Sequence, residues 1–217
     1  EIIESSDGSK EDLDEDPKEE ELIEEEEEKE EEKEEEEEEK EEEPVSFDLD
    51  YDQNQENIYS LSDLPSPFVK SNIYSQENIF VLGDLSADEY ITALIDITFY
   101  FQTRSDNVVE ATVISAIDLE DIKAQNLVVI GSPCTNPLVE LVTGHSCDSW
   151  PYGSNEGIIE VLPNHDKGLL VVYGLDESAT TLASKALLSY TDYIWCGNRA
   201  IVTMVDEELI VTMVDEE

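Results

Sequence analysis

The sequence predicts an α/β sandwich of two or three layers, built on a mainly parallel sheet with one antiparallel hairpin and preceded by an acidic low-complexity tail. Three observations predict it. Short, wholly apolar runs of strand length recur, as in Phe80-Val-Leu82, Leu127-Val-Val-Ile130 and Leu169-Leu-Val-Val172. Strands apolar on both faces belong to sheets covered on both sides. Each run ends at one glycine (Gly83, Gly131, Gly174) and leads through a polar cap into an amphipathic segment. The unit strand, glycine, cap, helix therefore occurs over 78–101, 126–143 and 168–190. Finally, Gly157-Ile-Ile-Glu-Val-Leu162 is joined to Gly168-Leu-Leu-Val-Val-Tyr173 by Pro163-Asn-His-Asp-Lys167, which has the length and composition of a hairpin connection.

Residues 1–43 form the tail. Positions 11–43 hold 25 acids and 4 Lys, so −21 of the net charge of −46 lies in 33 residues. Glu favours helix and the lysines offer i,i+4 partners, but dense like charge repels itself and there is almost nothing to bury. The expectation is a solvated spacer, extended or transiently helical, ended by Pro44. Residues 44–75 read as an extended linker and docking segment. Pro65 and Pro67 bracket Ser66 and keep the backbone extended, and Phe68 and Val69 can pin it to a core. Asp48-Leu-Asp50-Tyr-Asp52-Gln-Asn54 has the alternation of a Ca²⁺ loop, but Gln53 and Tyr59 stand where an EF-hand needs Gly and Glu.

Residues 76–200 are the α/β body. The first unit runs from Asn78 to Gly83, through a capping box of Ser86 and Glu89, into a helix whose apolar face is read as Tyr90, Ile91, Leu94, Ile95 and Thr98, ending near Phe101. Val108–Ile117 is a strand, and Leu119–Gln125 a short helix or turn. In the second unit Asn136 caps a helix with Pro137 at its first position. A loop with Cys, Gly and Trp follows, from His145 to Gly157. In the third unit Asp176 caps a helix to about Tyr190, with Ala179, Leu182, Ala183, Ala186 and Leu187 on one face. The octapeptide Ile201–Glu208 recurs residue for residue as Ile210–Glu217. A strand pair at a domain edge and a local duplication both fit, and 201–217 are assigned to a duplicated acidic C-terminal tail.

Charge and motifs exclude several functions. Residues 44–217 carry −23 with six Lys or Arg, a surface that repels nucleic acid and anionic lipid. No run of about 18 apolar residues is present, so this stretch contains no membrane span. The chain starts at Glu1 with no Met and no apolar leader, as a fragment or processed form would. The strand-to-helix turns are not glycine-rich, and Asp84 and Asp176 stand where a phosphate would bind, which argues against nucleotides. Ser132, Cys134 and His145 lie close in sequence, but Pro133 separates the candidate nucleophiles; His145 reads as an exposed loop residue and His165 as a turn residue. No constellation supports catalysis. Three Cys without a CxxC pair and two His make a poor metal set, so no cofactor is expected beyond diffuse Ca²⁺ binding by the acidic surface. Cys134 and Cys147 leave two readings: a bridge closing a short loop, or two unrelated buried thiols. No Asn opens an Asn-x-Ser/Thr acceptor.

Four pieces in order resemble the archaeal surface-layer (S-layer) protein domain: Leu61-Ser-Asp-Leu-Pro-Ser-Pro-Phe-Val-Lys70, Phe80-Val-Leu-Gly-Asp-Leu-Ser-Ala-Asp-Glu-Tyr-Ile-Thr-Ala-Leu-Ile-Asp-Ile97, Leu127-Val-Val-Ile-Gly-Ser-Pro-Cys-Thr-Asn-Pro137, and Gly157-Ile-Ile-Glu-Val-Leu162 with Gly168-Leu-Leu-Val-Val-Tyr-Gly-Leu-Asp176. They span about residues 60–200. Gly131-Ser132-Pro133 stands where that family usually has Gly-Gly-Pro, and the Glu tract is not part of its pattern. The resemblance implies a disulfide between Cys134 and Cys147. It also implies a secreted structural protein of the archaeal cell surface that works by self-association in a lattice and carries no catalytic residues. The alternative reading is an extracellular α/β binding module on a surface-anchored protein, with the Glu tract as its stalk.

Overall fold

In the computed structural model the chain divides at Ser46, and the unit from Phe47 onward carries the fold. The residues described are 51–52, 59–83 and 90–214. The acidic tail and the Ser86–Glu89 capping box lie outside them.

Among the described residues nine strands and three α-helices follow in order: β1 Val69–Lys70, β2 Ile73–Tyr74, β3 Ile79–Leu82, α1 Ile91–Gln102, β4 Thr112–Ser115, β5 Leu127–Gly131, α2 Pro137–Thr143, β6 Gly157–Asn164, β7 Lys167–Gly174, α3 Glu177–Leu188, β8 Arg199–Val205 and β9 Glu208–Val214. β1 and β2 form a small antiparallel pair, and the other seven make one sheet in the order β4-β3-β5-β7-β6-β8-β9. The α/β class is as expected, and all three strand–glycine–helix units form: β3 leads to α1, β5 to α2 and β7 to α3.

The sheet has two unlike halves. β4, β3, β5 and β7 run parallel; β7-β6, β6-β8 and β8-β9 pair antiparallel. Parallel and antiparallel pairings in this sheet are thus equal in number, because residues 201–214 of the expected tail form a hairpin instead. This second hairpin completes the sheet, as β-branched and apolar alternation permits once β8 can bury Ala200 and Val202.

Alternation along the strands sends side chains into two cores. One holds Val128, Ile130, Ile159, Leu170, Val172, Ala200 and Val202 beneath α1 and α3. The other holds Val129, Ile158, Val171 and Tyr173 beneath α2 and the 3₁₀ turns near Ala116 and Ile122. The arrangement has three layers. The docking segment is part of the first core: Leu61 and Phe68 are fully buried, and Phe68 packs on Phe101 with ring centroids 5.4 Å apart.

The α1 face is rotated from the one its sequence suggests: Tyr90 and Leu94 pack on the core as expected, but Ile91 and Ile95 do not. Ala93, Ile97, Tyr100 and Phe101 are buried, whereas Ile91, Ile95 and Phe99 face outward. The helix is apolar nearly all round, so periodicity alone leaves its orientation open. The inward face is chosen by the aromatic cluster of Phe68, Tyr74 and Phe80 around Phe101, and by Ser184 of α3 donating to Asp96 Oδ2 at 2.9 Å. The predicted strand at 108–117 also shortens to β4.

Candidate functional site

In parallel α/β sheets ligands enter at the carboxyl ends of the strands, where the chain order reverses. Here that point lies between β3 and β5, since the chain leaves β3 outward to β4 and leaves β5 in the opposite direction, to β6 beyond β7. The β5–α2 turn fills it. Asn136 is fully buried: its Oδ1 accepts from Leu138 N at 3.1 Å, capping α2, and its Nδ2 donates to Val81 O and Ile130 O at 3.3 and 3.0 Å. One side chain thus starts the helix and ties β3 to β5. Ser132 Oγ donates to Leu175 O and accepts from Cys134 N, so the hydroxyl is committed to the turn. Gly83 must be glycine, because a Cβ there would sit 2.0 Å from Thr135 O. Gly131 has φ of 138°, a region side chains rarely adopt.

Cys134 and Cys147 are joined by a disulfide, with Cα atoms 4.8 Å apart. This clasp fastens the β5–α2 turn to the loop after α2, and closing a loop of that size stabilises by roughly 3 kcal/mol in the chain-entropy model. Cys134 therefore offers no thiolate, and Ser132, Cys134 and His145 do not assemble a nucleophile and base. Cys196 is free and exposed.

The loop held by the clasp covers a polar cluster that sequence reasoning missed. Glu160, in the middle of β6, is 0% exposed. It lies opposite Arg199 of β8, whose Nε donates to Glu160 Oε1 at 2.9 Å and whose second guanidinium nitrogen contacts the same oxygen. Tyr173 Oη donates to Glu160 Oε2 at 2.7 Å. Over this sit His145, Trp150 and Tyr152. Tyr152 Oη and His145 Nε2 share a hydrogen bond of 3.2 Å, His145 stacks on Tyr173, and Trp150 meets both tyrosines edge-on. His145 is half-buried in this aromatic ledge, not exposed, because the clasp draws the loop onto the sheet. His165 is a turn residue as expected, at the tip of β6–β7 with φ of 53°.

Burial sets the protonation of the cluster. It pushes the Tyr173 phenol well above its usual value, with the Glu160 charge adding to the shift. Burial lowers the His145 pKa, and the Arg199 charge lowers it further. For Arg199 burial opposes the charge, but the bond to Glu160 outweighs it and raises the pKa. The signal for this site was the single Glu inside Gly157-Ile-Ile-Glu-Val-Leu162: a strand buried on both faces must partner any charge it contains.

At the amino ends of β3 and β5 the polar groups are also spent internally. Asn126 Nδ2 donates to Asn78 Oδ1, Asn78 Nδ2 donates to Phe68 O, and Gly168 N donates to Asn126 Oδ1. A cavity of about 140 Å³ beside them is lined by Lys70, Glu77, Asp166 and Lys167, whose charges balance. Among the described residues there is no group of three or more His, Cys, Asp or Glu able to hold a metal ion, and no helix long and apolar enough to cross a membrane.

The outer surface is less self-sufficient. Ile91, Ile95 (61% exposed) and Phe99 (57% exposed) form an i, i+4, i+8 stripe along α1. β9 forms one edge of the sheet. No family model matches the chain, and no curated protein matches it.

Proposed function

We propose that this chain is a structural component of an extracellular surface layer and acts by associating with copies of itself. The observation that carries the reading is the outward apolar stripe of α1 on a part of the chain whose sequence holds −23. Contiguous apolar surface on such an acidic chain marks a contact site. Two features add support. The crevice between β3 and β5 is occupied by the chain's own turn, and the disulfide suits an oxidising compartment. The resemblance of four sequence pieces to the archaeal S-layer domain points the same way. On this reading the protein performs no catalysis, and divalent cations such as Ca²⁺ bridge acidic neighbours without a dedicated site. Purified chain, concentrated with Ca²⁺, forms ordered sheets visible by electron microscopy, and a chelator disperses them. A chain that stays monomeric at every concentration, with and without Ca²⁺, overturns the proposal.

A second reading, an extracellular binding module, is favoured by the aromatic ledge of His145, Trp150 and Tyr152, since half-exposed aromatics beside a rigid loop suit ligand contact. Tryptophan fluorescence that responds to a ligand while no sheets form would favour it.

A further inference from the structure

We propose that β9 is a self-pairing edge: two copies of the chain join antiparallel along β9, with Val211 of each on the twofold axis. This deepens the lattice reading and rests on it for biological meaning, but its geometry stands on β8 and β9 alone.

The repeat supplies the argument. β8 and β9 carry the same segment, Ile-Val-Thr-Met-Val, at 201–205 and 210–214. In the hairpin Val202 lies opposite Val211, Ile201 opposite Thr212, and Thr203 opposite Ile210. Each valine therefore faces its own equivalent, and the flanking pairs exchange roles about it. The segment is paired with itself, antiparallel, in a register symmetric about that valine. The outer edge of β9 offers the same segment to a second copy in the same symmetric register, with the two valines now a hydrogen-bonded pair where in the hairpin they are a non-hydrogen-bonded one.

The backbone has the right phase. Val161 N donates to Asn198 O, continuing the β6–β8 ladder. Alternation from that pair turns the amide and carbonyl of Val202 toward β6, and those of Ile201 and Thr203 toward β9. Thr212 and Ile210 answer them, so Leu209, Val211 and Met213 present their backbone groups outward. Among the described residues no strand takes them up. With Val211 on the axis, Leu209 lies opposite the second copy's Met213, which yields about six backbone hydrogen bonds. Tyr193 Oη reaches Leu209 O at 3.5 Å, the long limit of a bond, and yields that oxygen to the second copy.

Charge and guarding agree. Leu209–Val214 contains no charged residue in a chain of net charge −46, so two acidic bodies meet there without opposing charges along the paired stretch. Exposed edges are usually guarded by Lys, Pro or shortness. β4, the other edge, spans four residues; β9 spans seven and contains neither Lys nor Pro.

The test compares the full chain with Val211→Pro by sedimentation across a concentration series. Proline removes an outward N–H and leaves the β8–β9 ladder intact, so the variant keeps the parent's circular dichroism and melting while its dimer weakens by about 100-fold. Should Val211→Pro misfold, Thr212→Lys, which places a charge at an exposed position of the same edge strand, gives the same comparison. A nitroxide on Val211→Cys in a Cys196→Ser background reads the register: dipolar broadening is greatest at 211 and falls for labels toward 208. Unchanged association in a folded edge variant, or broadening not centred on 211, overturns the inference. Sheets that form despite Val211→Pro leave the lattice reading standing and remove this one, whereas a β9 dimer that never extends into sheets does the reverse.

Discussion

The two halves of the sheet reach stability by different means. In the parallel half, β4-β3-β5-β7, adjacent strands are tied at their ends by neutral polar groups: Asn136 at the carboxyl ends, Asn78 and Asn126 at the amino ends. In the antiparallel half, β6-β8-β9, the organising contact is one buried ion pair in mid-strand, Glu160 with Arg199, roofed by a loop that a disulfide holds down. Neutral ties contribute about 1 kcal/mol each and fail one at a time. A buried charge pair adds little net stability while whole, but it is costly to halve. The first half should therefore be tolerant and the second brittle.

Arg199→Met is the hardest test of that contrast. It leaves Glu160 without its cationic partner, and urea unfolding should show a loss of about 3 kcal/mol, at the lower end for such pairs because Arg199 is partly exposed. Adding Glu160→Gln should restore much of it, since the uncompensated charge is then gone. A loss below about 1 kcal/mol in the single variant would mean that Tyr173 and solvent suffice for Glu160, and that the brittle half is not brittle.

Asn136→Ala probes the other half. It removes a helix cap and two donors to strand carbonyls, for an expected cost of about 2 kcal/mol. Asp176→Ala, which removes only the cap on Ala179 N, should cost about 1 kcal/mol. If the two were equal, the ties from Asn136 to Val81 and Ile130 would carry no weight, and the parallel half would rest on its apolar strands alone.

These sites differ as much in legibility as in energetics. Asn136 and Asp176 were readable as caps because a cap, its proline and the following helix lie within a few residues. The tie from Asn136 to Val81 was not readable, because its partner lies 55 positions away. Glu160 and Arg199 are 39 apart and meet only because β6 and β8 pair in one register. Register depends on the whole sheet, although the isolated Glu in an apolar strand announced that some partner must exist. The α1 orientation failed for a different reason. A helix with apolar residues on every side carries no moment strong enough to choose, and Ile95 and Phe99 are outside because Phe101 and Tyr100 fill the core better. The C-terminal repeat was visible, yet whether it paired depended on β6 offering a free edge.

The smallest effect is the most specific to the roof over the ion pair. Burial and Arg199 lower the His145 pKa in the folded chain relative to an ordinary histidine. The unfolded chain therefore binds a proton first as pH falls. The stability tied to a neutral His145 is complete above the ordinary histidine pKa of about 6.5 and declines as pH drops below it toward the folded value. Between about pH 7 and 5.5, above the carboxylate range, the melting temperature of the parent should fall more steeply than that of His145→Gln, which has no proton to take up. The difference must be modest, since the ring is half open to solvent. Parallel slopes for the two proteins would mean that the imidazole protonates freely in place, and that the aromatic ledge is looser than its ring contacts imply.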